Sequence, residues 1–384
     1  MRESIVILGS GLAGISVARE LRKLDKEIPL TMVTADDGGF YSKPSLSNAL
    51  AAGKTAIQLV LTQREALAAQ LNMDIRPHTR VTRLLPGEHA IETDGGRIAY
   101  ERLVLAIGAQ PIRLPIEGDG AKDIISVNSL PDYAAFRDRV AGAKFGGRVA
   151  ILGGGLIGCE FANDLRSAGI EVDVFDLAPQ ALGRLLPAQA AEFFRAKLEA
   201  AGVRFHFNTS IGRVNRSESG MLLIDTHGKQ FSADLVLSAV GLKPELELAR
   251  AAGLKTNRGV VADMLLATSD SDVFVVGDCA EVQGQVLPFV LPIMQQARAL
   301  AKTLAGIPTA VSYPAMPVVV KTPACPAVVC PPPPGAAGAW REEVEPTGLR
   351  ALFEDADGKP LGFCLVGEAV KEKQSLAAQM PAWF

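Results

Sequence analysis

The chain has 384 residues, 48% hydrophobic and 21% charged, enough for two or three compact units with ample core, and this excludes a disordered chain. A formal net charge of −3 gives no bulk attraction for nucleic acid or an anionic membrane surface. No uninterrupted apolar run of about 18 residues exists, and the N-terminus enters Ile5-Val6-Ile7-Leu8 too soon for a leader, so a soluble cytoplasmic protein without membrane insertion is expected.

In chain order, the apolar run Ile5 to Leu8 predicts a strand that enters Gly9-Ser10-Gly11-Leu12-Ala13-Gly14 and then an amphipathic helix to Leu24. The GxGxxG spacing suits a dinucleotide. Gly9 permits the tight turn, Gly11 lets the backbone approach a pyrophosphate, and Gly14 allows close helix packing. A second strand, Leu30 to Val33, should end in a ribose-binding carboxylate, but Thr34 or Ala35 occupies that place and the nearest acids are Asp36 and Asp37. Asp36-Asp37-Gly38-Gly39 is either a displaced ribose contact or a solvated turn.

A strand at 103–111, LVLAIGAQP, closes this unit. Turn-rich sequence at Pro111, Pro115, Gly118 and Gly120 follows, and Ser129-Leu130-Pro131 reads as a helix start. The scheme then repeats: a strand runs into Gly153, Gly155 and Gly158, and the next strand, Glu171 to Phe175, ends in Asp176. A carboxylate there accepts both ribose hydroxyls and repels a 2′-phosphate, which favours NADH over NADPH. Arg184, the nearest arginine, reads as a solvated helix-start residue. The second unit closes on LVLSAVGLKP at 235–244.

Later, strand 272–276 leads into Gly277-Asp278-Cys279, and a helical pattern covers about Met294 to Leu304, with its N-terminus at about Pro292. Beyond Val311 the composition shifts toward Pro and Val, with CPPPP at 330–334, which predicts a small, mostly strand-bearing domain with a PPII-like segment. Cysteines 159, 279, 325, 330 and 364 are too scattered for a disulfide framework. Cys325 and Cys330 form a CxxxxC, read as packing, a redox pair or, least of all, metal ligands; no metal site is expected. Histidines 78, 89, 206 and 227 fall at no matched spacing, and Trp340 and Trp383 either pack the last domain or sit at a docking face.

As a set, GSGLAG, LAIGAQP, GGGLIGCE, SAVGLKP and ATSDSDVFVVGDC resemble the flavoprotein reductases with two dinucleotide-binding domains, the glutathione-reductase-like class, over roughly residues 1–310. The resemblance implies an α/β fold of two nested Rossmann-like domains for FAD and NAD(P)H plus a small α+β C-terminal domain. The FAD domain would span 1–112 and 244–312, the NADH domain 113–243 and the C-terminal domain 313–384. For FAD it implies Gly9, Ser10, Gly11, Leu12 and Gly14, then Thr34, Ala35 and Asp36. It adds Ser42, Lys43 and Pro44, then Val81, Ala106 and Gly108, then Gly277 with Asp278 at the ribityl chain, and Lys321 from the last domain. For NADH it implies Gly153, Gly155, Leu156, Ile157, Gly158 and Glu160, with Asp176 and Gly241.

Disulfide reductases of this class keep a CxxxxC soon after the first ribose-binding strand, whereas residues 34–58 contain no cysteine. Electrons should therefore leave to a separate carrier. The segment TADDGGFYSKPSLS, a short last domain and GAWRE draw the resemblance toward the members that reduce rubredoxin, which implies single-electron delivery to rubredoxin in support of alkane hydroxylation. Ferredoxin, flavorubredoxin or oxygen as acceptor, or a slow FAD/NADH redox sensor, remain alternatives, as do monomer and homodimer. Rubredoxins are usually acidic, so a local Lys/Arg patch is expected. Lys43 and Glu160 are the candidate catalytic pair at the flavin edge; the alternative is an exposed lysine and a helix-surface glutamate. Lys321 is either a second flavin neighbour or an ordinary strand-end lysine.

Overall fold

The computed structural model describes residues 4–143, 147–219, 222–226 and 228–383. Ile5–Leu8 sits in the middle of a five-stranded parallel sheet, flanked by Leu30–Val33 and Asp74–Arg76 on one side and by Arg102–Leu105 and Val273–Val275 on the other. Every residue of this central strand is buried, as an unbroken apolar tetrapeptide requires when both faces of a parallel sheet are covered. Helices Leu12–Leu24 and Val290–Leu304 pack together on this sheet, with Ile15, Ala18 and Leu21 sharing a core with Ala297, Leu300 and Leu304.

A second parallel sheet has the order Val203–His206, Glu171–Phe175, Arg148–Leu152, Leu235–Ser238. The chain passes between the two sheets twice, and the two crossings pair antiparallel, Ala109 opposite Pro244 and Pro111 opposite Leu242. Helix Leu130–Ala141 starts as its sequence suggests: the Ser129 hydroxyl accepts the Asp132 N–H at 3.2 Å, and Pro131 lies in the first turn.

The helix that ends at Leu304 begins at Val290 rather than near Pro292. Proline fits in a first turn because the N–H it lacks would have no partner inside the helix anyway. The C-terminal domain is a five-stranded antiparallel sheet, ordered Val318–Val320, Ala327–Cys330, Pro360–Gly367, Gly348–Glu354, Ala339–Glu345, followed by a short helix Lys373–Ala377. One face shares a core with Ala190, Phe194 and Leu198 of helix Ala188–Ala200, through Leu349, Ala351, Cys364 and Val366. Glu342 adds a polar tie. That helix has no side-chain cap of its own, and the Glu342 carboxylate accepts the N–H groups of Ala190 at 2.8 Å and Gln189 at 3.3 Å. Among the described residues no helix is long and apolar enough to cross a membrane.

Buried Asp173, in the second sheet, accepts from Arg204 at 2.9 and 2.8 Å and contacts His206 at 2.8 Å. Burial alone would raise its pKa, but the hydrogen bonds and charges of Arg204 and His206 outweigh that and hold it well below the ordinary carboxylate value. A depressed folded-state pKa gives stability that is fully present above the unfolded value and is lost progressively as pH falls from there through the folded value. Melting temperatures of the wild type and Asp173→Asn should therefore differ most at pH 7 and draw together progressively as pH falls below about 4. Parallel curves across that range would contradict this role.

Candidate functional site

Both glycine turns leave an open cradle at a helix N-terminus. Gly9 has φ +110°, and a Cβ there would collide with the Ala106 carbonyl, while one on Gly14 would collide with the Gly9 carbonyl. In front of Gly11 nothing lies within 4 Å. Gly153, Gly155 and Gly158 repeat this arrangement, with the Gly155 position open. Helices Leu12–Leu24 and Leu156–Ser167 have no acidic residue in the first turn and no side-chain cap, so their leading N–H groups, including those of Leu12, Leu156 and Ile157, are available to an anion. Two such cradles on parallel sheets fit two dinucleotide pyrophosphates.

The ribose ends of the two units differ. In the first, the Ser10 hydroxyl is 2.9 Å from that of buried Thr34, Thr34 also accepts the Asp36 N–H at 3.2 Å, and Asp37 closes its own turn on the Gly39 N–H at 2.9 Å. Ala35 and Asp36 face solvent. In the second, the Asp176 carboxylate accepts the N–H of Gly154 at 2.5 Å and of Ala178 at 2.7 Å, which fixes it beside the glycine turn. Arg184 is exposed.

The Gly277-Asp278 turn meets the first glycine turn: a Cβ on Gly277 would come within 2.8 Å of Ala13 Cβ. Its position is set by buried Gln296, which accepts the Gly277 N–H at 2.7 Å and donates to the Tyr313 hydroxyl at 2.9 Å. Burial pushes the Asp278 carboxyl up, and the nearby Lys43 charge partly offsets this. Ala106 closes the strand end behind Gly9, its N–H donating to the Leu8 carbonyl at 2.9 Å. Gly108 and Gly241 follow the closing strands of their units, and Val81 packs against the first core. Ser42 and Pro44 flank Lys43 at the start of a short 3-10 turn, Lys43–Asn48.

Glu160 is fully buried and is the centre of a junction between three segments. Its carboxylate accepts from Ser47 at 2.5 Å, Asn48 at 3.3 Å, the Lys321 N–H at 2.9 Å and the Lys321 ammonium at 3.0 Å, and that ammonium also donates to the Pro44 carbonyl. The expected pairing of Lys43 with Glu160 is thus replaced by Lys321 with Glu160, because the edge strand Val318–Val320 delivers Lys321 onto the helix while Lys43 lies toward Asp278. One turn further along the same helix, Asn163 accepts the Ala324 N–H at 3.0 Å, and Asp164 accepts Leu50 at 2.8 Å and Ala51 at 3.2 Å. Ser47, Asn48, Asn163, Asp164 and Gln296 were not foreseen. The signal for Asn163 and Asp164 was their spacing of i+3 and i+4 from Glu160 on a helix otherwise buried with apolar side chains.

All five cysteines are free and buried. Cys325 and Cys330 belong to different cores, on opposite faces of the last sheet, and burial pushes both thiols up to about 11. They pack rather than form a redox pair. Trp340 packs edge-on to Phe353 within the last domain, and Trp383 donates to the Pro331 carbonyl while packing against the core of the first unit. His227 lies outside the described residues, and no metal-ligating cluster occurs among the described ones.

A family model for pyridine nucleotide-disulphide oxidoreductases matches residues 3–303. The chain belongs to that family. As a pyridine nucleotide-disulphide oxidoreductase it carries an addition, since residues 310–380 match a model described as a rubredoxin binding C-terminal domain. It is 49% identical to a rubredoxin-NAD(+) reductase of Alcanivorax borkumensis over 98% of each chain. It is 37% identical to a nitric oxide reductase FlRd-NAD(+) reductase of Aeromonas hydrophila, over 98% of this chain and 96% of the other. The covalent putidaredoxin reductase–putidaredoxin complex has a reductase-like chain that superposes with a TM-score of 0.88 at 26% identity, covering 99% of this chain and 94% of that one.

Glu160→Ala in this oxidoreductase leaves a buried hydroxyl, an amide and a backbone N–H without their acceptor. Urea denaturation should show a loss of about 3 kcal/mol. An unchanged midpoint would remove Glu160 from the fold's support.

Proposed function

We propose that this chain is an NADH:rubredoxin oxidoreductase, with FAD in the first cradle and NADH in the second. The observation that carries this reading is the reach of the rubredoxin-binding-like domain into the junction: Lys321, one of its residues, pairs with Glu160 of the NADH-unit helix. The missing cysteine pair in residues 34–58 supports the same reading, since no pair of thiols follows the first ribose-end strand to relay electrons as a disulfide. FAD held by the first glycine turn and Asp278 would supply a two-electron hydride acceptor that can release electrons singly.

The residues of this chain act around that exchange. The open turns at Gly11 and Gly155 admit the pyrophosphates, and the helix N-termini supply their donors. Asp176 holds the NADH ribose and excludes a 2′-phosphate. Lys43 and Lys321 place positive charge where negative charge develops on reduction, and Glu160 holds Lys321 in place. Asp278, tied through Gly277 to Gln296, receives the flavin side chain. A cytoplasmic location, supported by five free buried cysteines, and service to alkane hydroxylation complete the proposal. The flavorubredoxin reading has a specific basis in the relatives named for nitric oxide reductase FlRd.

NADH oxidation by FAD-loaded protein should run fastest with rubredoxin in a panel that includes ferredoxin, flavorubredoxin and oxygen; a faster rate with any other member overturns the acceptor. In stopped flow, Lys43→Met should slow flavin reduction by about tenfold, equivalent to about 1.4 kcal/mol of lost transition-state stabilisation. An unchanged reduction rate would take Lys43 out of the mechanism.

A further inference from the structure

The segment that supports Lys43 also builds an exposed surface that none of the roles above uses. Ile57 is 79% exposed and Leu61 65%, and with Leu177 they are the most exposed large apolar side chains among the described residues. Lys54, three positions before Ile57, is exposed as well. From Gly38 to Gln63 the sequence contains Lys43 and Lys54 but no Asp or Glu, in a chain with 42 acidic residues. This surface is therefore apolar at its centre with a cationic edge at Lys54, while the Asp36, Asp37 and Asp132 carboxylates lie on the Tyr41 side.

The surface is rigidly backed and joined to the site. Strand Val60–Thr62 pairs with Phe40–Tyr41, which runs directly into Ser42 and Lys43. Beneath it Leu59 shares a core with Leu46 and Ala49, with Phe161 beside Glu160, and with Val320 beside Lys321. The Lys54 carbonyl accepts from the Tyr133 hydroxyl at 2.9 Å and from Arg137 at 2.6 Å. Exposed apolar side chains on such a fixed base mark a contact surface rather than a loose loop.

Charge decides which partner fits. Residues 310–380 hold eight acidic against six basic side chains, so the C-terminal domain by itself does not attract an acidic carrier. We propose that Lys54, Ile57 and Leu61, together with the cationic rim at Lys43, form the docking face for the electron carrier, a small one-electron protein with an apolar spot framed by carboxylates. The proposal rests on the reading that electrons leave to a separate acidic carrier. It moves the anchoring contact from the C-terminal domain to the far side of the site, with the carrier bridging the two.

The test uses holoenzyme and rubredoxin as the probe, with ferricyanide, which needs no docking face, as a second acceptor in the same preparations. Ile57→Asp with Leu61→Asp should lower kcat/KM for rubredoxin at least tenfold, mainly through KM, with NADH:ferricyanide activity and FAD content unchanged. Lys54→Glu, a surface change that leaves the apolar residues in place, should lower kcat/KM severalfold and flatten its ionic-strength dependence. Rubredoxin kcat/KM within twofold of wild type in both variants overturns the docking face. So does a change of oligomeric state in sedimentation with rubredoxin turnover preserved, which would make the patch a subunit contact. A wild-type enzyme that reduces ferricyanide but not rubredoxin overturns the acceptor reading, and the docking face with it.

Discussion

A single carboxylate with no access to water organises this molecule. Burying Glu160 is unfavourable unless its lone pairs are filled, and four donors from two distant segments fill them. Two of those donors come from residues 47 and 48 beside the first cradle, and two from Lys321 of the last domain, while Glu160 itself belongs to the helix that opens the second cradle. The requirement that one charge be satisfied therefore fixes how all three parts meet. Asn163 and Asp164 extend the same seam along the helix, each accepting backbone N–H groups that would otherwise be stranded between packed units.

Much of the fold could be read from local pattern. Ile5–Leu8 and Gly9 to Gly14 identify themselves because a buried parallel strand must be apolar throughout and the following turn leaves no room for a Cβ at Gly9 or Gly14. Ser129 and Pro131 announce their helix because capping chemistry is confined to a few neighbouring residues. The start of helix Val290–Leu304 was placed late because proline marks a first turn without saying which position of it.

The site was legible as a set of residues and much less so as a set of contacts. Lys321 and Glu160 are 161 positions apart, and no periodicity links an edge strand to a helix in another unit. Lys43 was the nearer candidate by family position, yet what decides the pairing is which backbone N–H also reaches the carboxylate, and Lys321 brings both its amide and its ammonium. Gln296 was hidden for a similar reason: of two adjacent glutamines in one helix, it stands out only once its two partners, Gly277 and Tyr313, are known.

The two crossings at Ala109–Pro111 and Leu242–Pro244 have a consequence for how such a protein is assembled. Because they lie side by side, everything between them begins and ends at almost one point in space. To the first sheet, those 130 or so intervening residues are a loop whose closure has already been secured by a pair of strands, so their length adds little further entropic cost. The intervening chain is in effect a cartridge with adjacent terminals. A different nucleotide-binding cartridge with equally close ends could replace it without disturbing the host sheet, provided that it presents a buried acid where Glu160 stands.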